Sequence, residues 1–140
     1  MNFSKNDIDI LARTIYGEAR GEFYKFGTSP LIAIANVIVN RMRKGFAKTI
    51  QEVCLAPLQF SCWNLNDPNR KKIENIKASE CPIFRKCLET AENVLMEKWP
   101  DLVDGCDHYH EKTIKPFWAA YSEPKRILGS HYFYELRRKQ

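Results

Sequence analysis

At 140 residues, with 44% hydrophobic, 28% charged and 12% aromatic side chains, the chain has the composition of one globular domain. Disordered, collagen-like, coiled-coil and membrane-protein readings are excluded, and a chain this long builds its core without needing a disulfide or a metal. Twenty-two basic against 17 acidic residues leave a formal charge of +5. That charge favours anionic partners (nucleic acid, lipid headgroups, acidic wall polymers) or serves as a solubilising surface.

The first seven residues lack the apolar run of a secretory signal. The longest apolar stretch, Pro30 to Val39, is interrupted by Asn36 and falls far short of the roughly 20 residues that span a bilayer. Five cysteines, at 54, 62, 81, 87 and 106, are an odd set without a leader, so they are expected to be reduced in a cytoplasmic setting. Basic residues cluster only at Arg70-Lys71-Lys72 and Arg137-Arg138-Lys139.

In chain order, Ile8, Leu11, Ala12, Ile15 and Ala19 recur at helical spacing and predict an amphipathic helix from about Asp7 to Arg20. Asn6 stands as its cap and Gly21 as its stop. Glu18 then falls in the last turn, at the border of the apolar stripe, where a solvated surface charge is badly placed. Ser29-Pro30 opens a second helix over Leu31 to Met42, apolar nearly all round and ended by Gly45. Thr49-Ile50-Gln51-Glu52 is a capping box for a short third helix that stops before Pro57. Residues 57–80 read as loop, rich in Pro, Asn and Asp. A long helix follows from about Pro82 to Trp99, closed by Pro100. Beyond it, short strands are expected near 106–110 and 127–134. The fold class is α+β, mainly α-helical, in a single domain over residues 1–140.

Three clusters carry possible chemistry. Glu18 and Glu22 are paired carboxylates such as glycoside cleavage uses, and a catalytic acid needs the apolar surround that the helix border offers. The alternative is an ion pair with Arg20 or Arg13. Cys106, His108 and His110 alternate, which would set three ligand types on one strand face, but no fourth partner lies at an established zinc spacing. Cys62 and His131 are isolated, so no metal is assigned, and the histidines read as hydrogen-bonded structural or substrate-facing groups. Gln59-Phe60-Ser61-Cys62-Trp63 combines an amide, a hydroxyl and two aromatics, fit either to stack on sugar rings or to plug a long loop into the core. No P-loop, dinucleotide fingerprint, helix-turn-helix or zinc-finger spacing is present.

The run Tyr16-Gly17-Glu18-Ala19-Arg20-Gly21-Glu22 resembles the cell wall hydrolase family whose best-known members are the SleB-like spore cortex-lytic enzymes. The resemblance continues in order through Val39-Asn40-Arg41, Thr49 to Val53, Gln59 to Trp63, Gly105 to His110, Pro116 to Ala119 and Ile127 to Tyr134. It implies a lysozyme-like catalytic domain, with a few short strands, that cleaves peptidoglycan glycan strands as a lytic transglycosylase and leaves 1,6-anhydro-muramic acid ends. It further implies Glu18 as the general acid/base and Glu22 as a structural or electrostatic helper. Tyr16, Gln59, Ser61, Trp63, His108 and Tyr109 would be substrate-binding or supporting residues.

No cofactor, no nucleic acid and no partner chain is expected; the partner is the glycan strand. Without the leader and the wall-binding domain that spore members carry, the chain resembles a bacterial or phage lysis enzyme that reaches the wall after release or lysis. Phe23-Tyr24-Lys25-Phe26 replaces a smaller turn and predicts a longer loop beside the cleft. A hydrolytic muramidase, a zinc-dependent amidase and a non-catalytic basic wall- or polyanion-binding module remain the alternatives.

Overall fold

The computed structural model describes residues 1–137; Arg138 and Lys139 of the C-terminal basic cluster lie outside them. Helix α1 spans Lys5–Phe26. It starts earlier than expected because Ser4, not Asn6, is the cap. The Ser4 hydroxyl accepts from the Asp7 N–H at 3.1 Å, and the Asp7 carboxylate accepts from the Ser4 N–H at 2.9 Å. Asn6 instead donates to the Gln51 side chain.

Gly21 does not stop the helix. A glycine inside a helix costs only about 1 kcal/mol, and the continuation packs Phe23 on the core and lets Glu22 bond to Ser130. The chain turns at Gly27, whose φ of +74° suits glycine. Phe23 to Phe26 are therefore the last helical turn, not a lengthened loop.

Helix α2, Ser29–Arg43, is buried almost all round, with Pro30 in its first turn and Thr28 rather than Ser29 at the cap position. Helix α3, Ile50–Leu55, has half of the expected capping box: the Thr49 hydroxyl accepts from the Glu52 N–H at 3.1 Å, while the Glu52 carboxylate reaches the Lys48 N–H.

Residues 57–80 are not all loop. They hold a 3-10 turn at Ser61–Trp63 and helix α4, Arg70–Asn75. Helix α4 is pinned by one fully buried side chain, Ile73, and by Arg13, whose guanidinium donates to the Ile73 and Ile76 carbonyls. Helix α5, Pro82–Leu95, ends a turn before Trp99. There Glu97 takes a φ of +58°, and the bonds Glu97 N–H to Val94 O and Lys98 N–H to Asn93 O close a Schellman motif.

Helix α1 packs chiefly on α5 and α2, and α2 also packs on α5. A three-stranded antiparallel sheet of β1 (His108–Glu111), β2 (Arg126–Leu128) and β3 (His131–Tyr134) lies in the order β1-β3-β2. The strand expected at 127–134 is a hairpin, because Gly129-Ser130 makes a two-residue turn between Leu128 and His131. Gly129 has φ +58° and Ser130 is not left-handed, the pattern of a type II′ turn.

Cross-strand pairs place Tyr109 opposite Phe133 and Glu111 opposite His131 on one face, and His108 opposite Tyr134 and His110 opposite Tyr132 on the other. The Tyr109 face meets α1. The histidine face carries Trp118, whose ring lies edge-on to both His108 and His110 at 5.1 and 5.7 Å. No helix among the described residues is long and apolar enough to cross a membrane.

Candidate active site

Because α1 runs on to Phe26, Glu18 sits in mid-helix and projects toward the sheet. The Tyr109 hydroxyl donates to its Oε1 at 2.7 Å. Beside it, Gly17 lets the Ser61–Trp63 turn close on the helix: a Cβ at Gly17 would stand 2.8 Å from both the Cβ and the Sγ of Cys62. That approach brings the Cys62 thiol near enough to Glu18 to act on its carboxyl group.

Burial raises the Glu18 pKa above the ordinary glutamate value, and the Tyr109 hydrogen bond and the Cys62 thiol only partly oppose this. Tyr109 is itself held well above its usual value, by burial first and then by the neighbouring Glu18, so it remains an O–H donor. Neither arginine considered as a partner pairs with Glu18. Arg13 pairs with Asp9, and Arg20 lies over the Tyr16 ring and donates to Asn69.

Glu22, one turn on, has a different task. Its two oxygens accept from the Ser130 N–H at 2.8 Å and the Ser130 hydroxyl at 3.0 Å, clamping the β2–β3 turn. A Cβ at Gly129 would stand 2.9 Å from the same carboxylate, so the turn needs glycine for space as well as for φ. His131 Nδ1 lies 3.3 Å from Glu22 Oε1 but without hydrogen-bond geometry, and burial lowers its pKa against the pull of Glu22.

The loop Gln59 to Trp63 alternates. Phe60 and Cys62 are buried, whereas Gln59 and Ser61 are exposed. The half-buried Trp63 donates its indole N–H to Thr14 at 2.9 Å, which fixes the loop on α1. The aromatics thus anchor the loop rather than present faces for sugar stacking, and the residues left facing solvent are the amide and the hydroxyl. Tyr16, two residues before Glu18, points the other way on the helix, packing edge-on against Phe84 of α5 with its hydroxyl near Cys81.

His108 donates from Nδ1 to Asp107 at 2.7 Å, a tautomer assigned from its carboxylate partner. Its pKa is lowered, by burial against the pull of Asp107. His110 is fully engaged: Nδ1 meets the Glu111 carbonyl at 2.6 Å and Nε2 the Tyr134 hydroxyl at 2.7 Å. Cys106 is a buried thiol pushed up to about 12 by desolvation. Among the described residues no group of three or more His, Cys, Asp or Glu is placed to hold a metal. All five cysteines are free.

The sequence profile of the Cell Wall Hydrolase family matches residues 28–134. The chain belongs to the cell wall hydrolase family. Its curated relatives include the spore cortex-lytic enzyme of Bacillus subtilis strain 168, 28% identical over 95% of this chain and 39% of that protein. The spore cortex-lytic enzyme of Bacillus cereus is 40% identical over 94% of this chain and 45% of that protein. The chain therefore spans less than half the length of these relatives.

Two solved structures share the fold of this cell wall hydrolase. The catalytic domain of the Bacillus cereus SleB protein has a TM-score of 0.68 at 23% identity, covering 95% of this chain and 92% of that one. The catalytic domain of the germination-specific lytic transglycosylase SleB from Bacillus anthracis has a TM-score of 0.70 at 24% identity, covering 95% and 97%. The α+β, mainly helical architecture is thus that of a SleB catalytic domain. Glu18 and Glu22 precede the segment that the family profile matches but lie within the stretch shared with the longer relatives.

Three residues of this cell wall hydrolase matter more than their sequence positions suggest. Arg41 reads as a charge at a helix C-terminus, yet it is buried, with its Nε donating to the Asp107 carbonyl at 2.7 Å. With Gln59 and His108 it lines a cavity of about 350 Å³ walled by Phe46, Val53 and Ala56. Cys62 reads as part of an aromatic loop, and Asp67 as turn chemistry, but Glu18 feels both. A charged residue on a helix apolar all round was the available signal for Arg41.

Proposed function

We propose that this chain cleaves peptidoglycan glycan strands as a lytic transglycosylase, with Glu18 as the general acid and then the base. The observation that carries the reading is a half-buried carboxylate raised in pKa by burial and hydrogen-bonded by the Tyr109 phenol, with Asp67 the one described acid whose charge reaches it. Asp107 is fully buried, and its two oxygens are taken by Lys44, His108 and the N–H groups of Leu136 and Arg137. Glu52 is exposed on α3 and Glu22 is clamped to Ser130.

Glu18 in its acid form donates its proton to the glycosidic oxygen as the bond from that oxygen to C1 of muramic acid breaks. The muramyl C6 hydroxyl oxygen then bonds to C1, and the Glu18 carboxylate takes the hydroxyl proton. No water is consumed and the enzyme returns to its starting state, a substrate-assisted course outside the two-carboxylate rule. The nucleophile belongs to the same ring, so its attack gains from proximity. Tyr109 orients the carboxyl group by its hydrogen bond, and Cys62 packs beside it. Glu22 secures the hairpin whose strand β3 carries β1 and Tyr109. Gln59 and Ser61 face the solvent side of the loop, where sugar hydroxyl and acetamido groups would bind.

Mass spectrometry of fragments released from purified peptidoglycan tests this. The reading predicts anhydro ends, lighter by one water than reducing ends. Fragments with only reducing ends would favour a hydrolytic muramidase. The water-activating group would then be Asp67, the acidic side chain whose charge acts on Glu18.

A further inference from the structure

We propose that the cavity around Arg41 is a carboxylate-binding subsite, which receives a carboxylate carried by the muramyl residue of the strand. The inference rests on the glycan-strand reading above and adds to it the substituent that the enzyme grips.

Arg41 lies in the last turn of α2, where an arginine ordinarily fans into solvent, yet it is only 6% exposed. Its guanidinium sits over the Phe60 ring at 5.1 Å and near the Phe46 ring at 5.9 Å. Its hydrogen-bond partners are neutral: the Asp107 carbonyl at 2.7 Å and, at the limit of bonding, the Gln59 side-chain oxygen at 3.5 Å. The Asp107 carboxylate is turned to Lys44, His108 and two backbone N–H groups instead. Among the described residues, no carboxylate forms an ion pair with Arg41.

A buried guanidinium keeps its charge, and a buried charge without a counter-ion is unfavourable. Arg41 borders open space: it lines the cavity of about 350 Å³ and is the one Lys or Arg side chain of its lining. The charges of Asp107 and Glu18 act on Arg41 without touching its guanidinium, and an anion entering there would supply the direct ion-pair partner.

The rest of the lining narrows the class. Phe46, Val53 and Ala56 are apolar, Gln59 offers an amide, and His108, with Nδ1 committed to Asp107, presents Nε2 as an acceptor. One cation, one amide, one acceptor and apolar walls fit a carboxylate on a short acyl or acyl-amino-acid arm better than a bare sugar hydroxyl. A neutral polysaccharide offers Arg41 hydroxyl and carbonyl oxygens but no opposite charge.

The cavity also adjoins the reacting group. Arg41, which lines it, is close enough to Glu18 for the two charges to act on each other. A muramyl carboxylate bound at Arg41 would therefore fix which sugar of the alternating strand presents its C1 to Glu18. Two sources share this chemistry: the lactyl carboxylate of a strand stripped of peptide, and a carboxylate of the stem peptide.

Equilibrium binding separates them without relying on turnover. Calorimetry on a Glu18→Gln background, which leaves the strand uncleaved, would compare the full chain, wild type at position 41 and Arg41→Gln, on a stripped tetrasaccharide, its stem-bearing counterpart and the methyl esters of both. Esterification is expected to weaken wild-type binding by about tenfold or more in the arm that supplies the carboxylate. Arg41→Gln should show the same loss and no further sensitivity to esterification, and Arg41→Lys should recover part of it. If Arg41→Gln fails to fold, the wild-type ester comparison decides alone. Free and esterified ligands binding the wild type equally, in both arms, would overturn the subsite. Carboxylate-dependent binding with no strand cleavage by the protein that keeps Glu18 would instead uphold the subsite and sink the transglycosylase reading.

Discussion

Where α1 meets β1, the Glu18 carboxyl has no charged group bonded to it: the Tyr109 phenol donates at 2.7 Å, the Cys62 thiol lies beside it, and the charges of Asp67 and Arg41 act on it in opposite directions without a direct bond. Where α2 meets the entry to β1, the Asp107 carboxylate is surrounded by charge and by N–H groups: the Lys44 ammonium at 2.8 Å, the His108 ring, and the backbone of Leu136 and Arg137. Burial pushes both acids upward. At Glu18 little opposes it and the pKa stays raised. At Asp107 the four partners outweigh it and hold the pKa down to about 2. Withdrawal from water thus does not by itself make an acid catalyst; the charge state of the neighbours decides whether a buried carboxyl keeps a proton to give or becomes a fixed strut.

The contrast can be broken most severely at Glu18. Glu18→Gln should abolish wall lysis, with a loss of about 10²–10⁴-fold or more, while the thermal unfolding midpoint stays near that of the wild type. A turbidity assay that finds more than about a tenth of the activity remaining would contradict the assignment.

At Asp107 the damage should fall on stability instead. Asp107→Asn removes one of the two carboxylates on the buried Lys44 while Glu135 stays at 3.1 Å, so the cost should fall below the about 3–5 kcal/mol of a fully broken buried pair, measurable by urea unfolding. The sign in acid follows from the depressed pKa. The stabilisation is full above the unfolded pKa of about 3.9, and it is lost as pH falls through the folded value of about 2.

Tyr109→Phe sharpens the comparison without removing either acid. It deletes a donor that lowers the Glu18 pKa, so that pKa should rise further. The alkaline limb of the pH–rate profile, where the acid form of Glu18 disappears, should move to higher pH, with a smaller rate loss than in Glu18→Gln. An unmoved or acid-shifted limb would mean that Tyr109 does not act on Glu18's proton.

The smallest effect is expected at Glu22. Glu22→Gln keeps an acceptor for Ser130 but loses the charge, at a cost of about 1 kcal/mol in stability and less than about tenfold in activity. Damage equal to that of Glu18→Gln would exchange the two roles.

The residues that could be read in advance are those whose signal is local. Helix α2 announces itself by its continuous apolar character and Pro30, and the start of α3 by Thr49 and Glu52. Glu18 is legible from the border of an apolar stripe together with the order of the family-like blocks. The end of α1 is not, because Gly21 is a local signal, while what carries the helix past it is a bond from Glu22 to Ser130, 108 residues away. Helix α4 escapes notice because it buries one residue, Ile73, and one residue has no period. Arg41, Tyr109 and Cys62 come from three separate elements; their convergence on Glu18 and its neighbouring cavity is a property of packing that no spacing along the chain expresses.

Carboxyl titration by carbon-detected NMR on the intact protein, with Glu18→Gln for assignment, tests the central contrast most directly. Glu18 should titrate above the ordinary glutamate value and Asp107 at about 2. A Glu18 resonance that titrates at or below the ordinary glutamate value would leave the protein without a proton donor at that position and contradict the account.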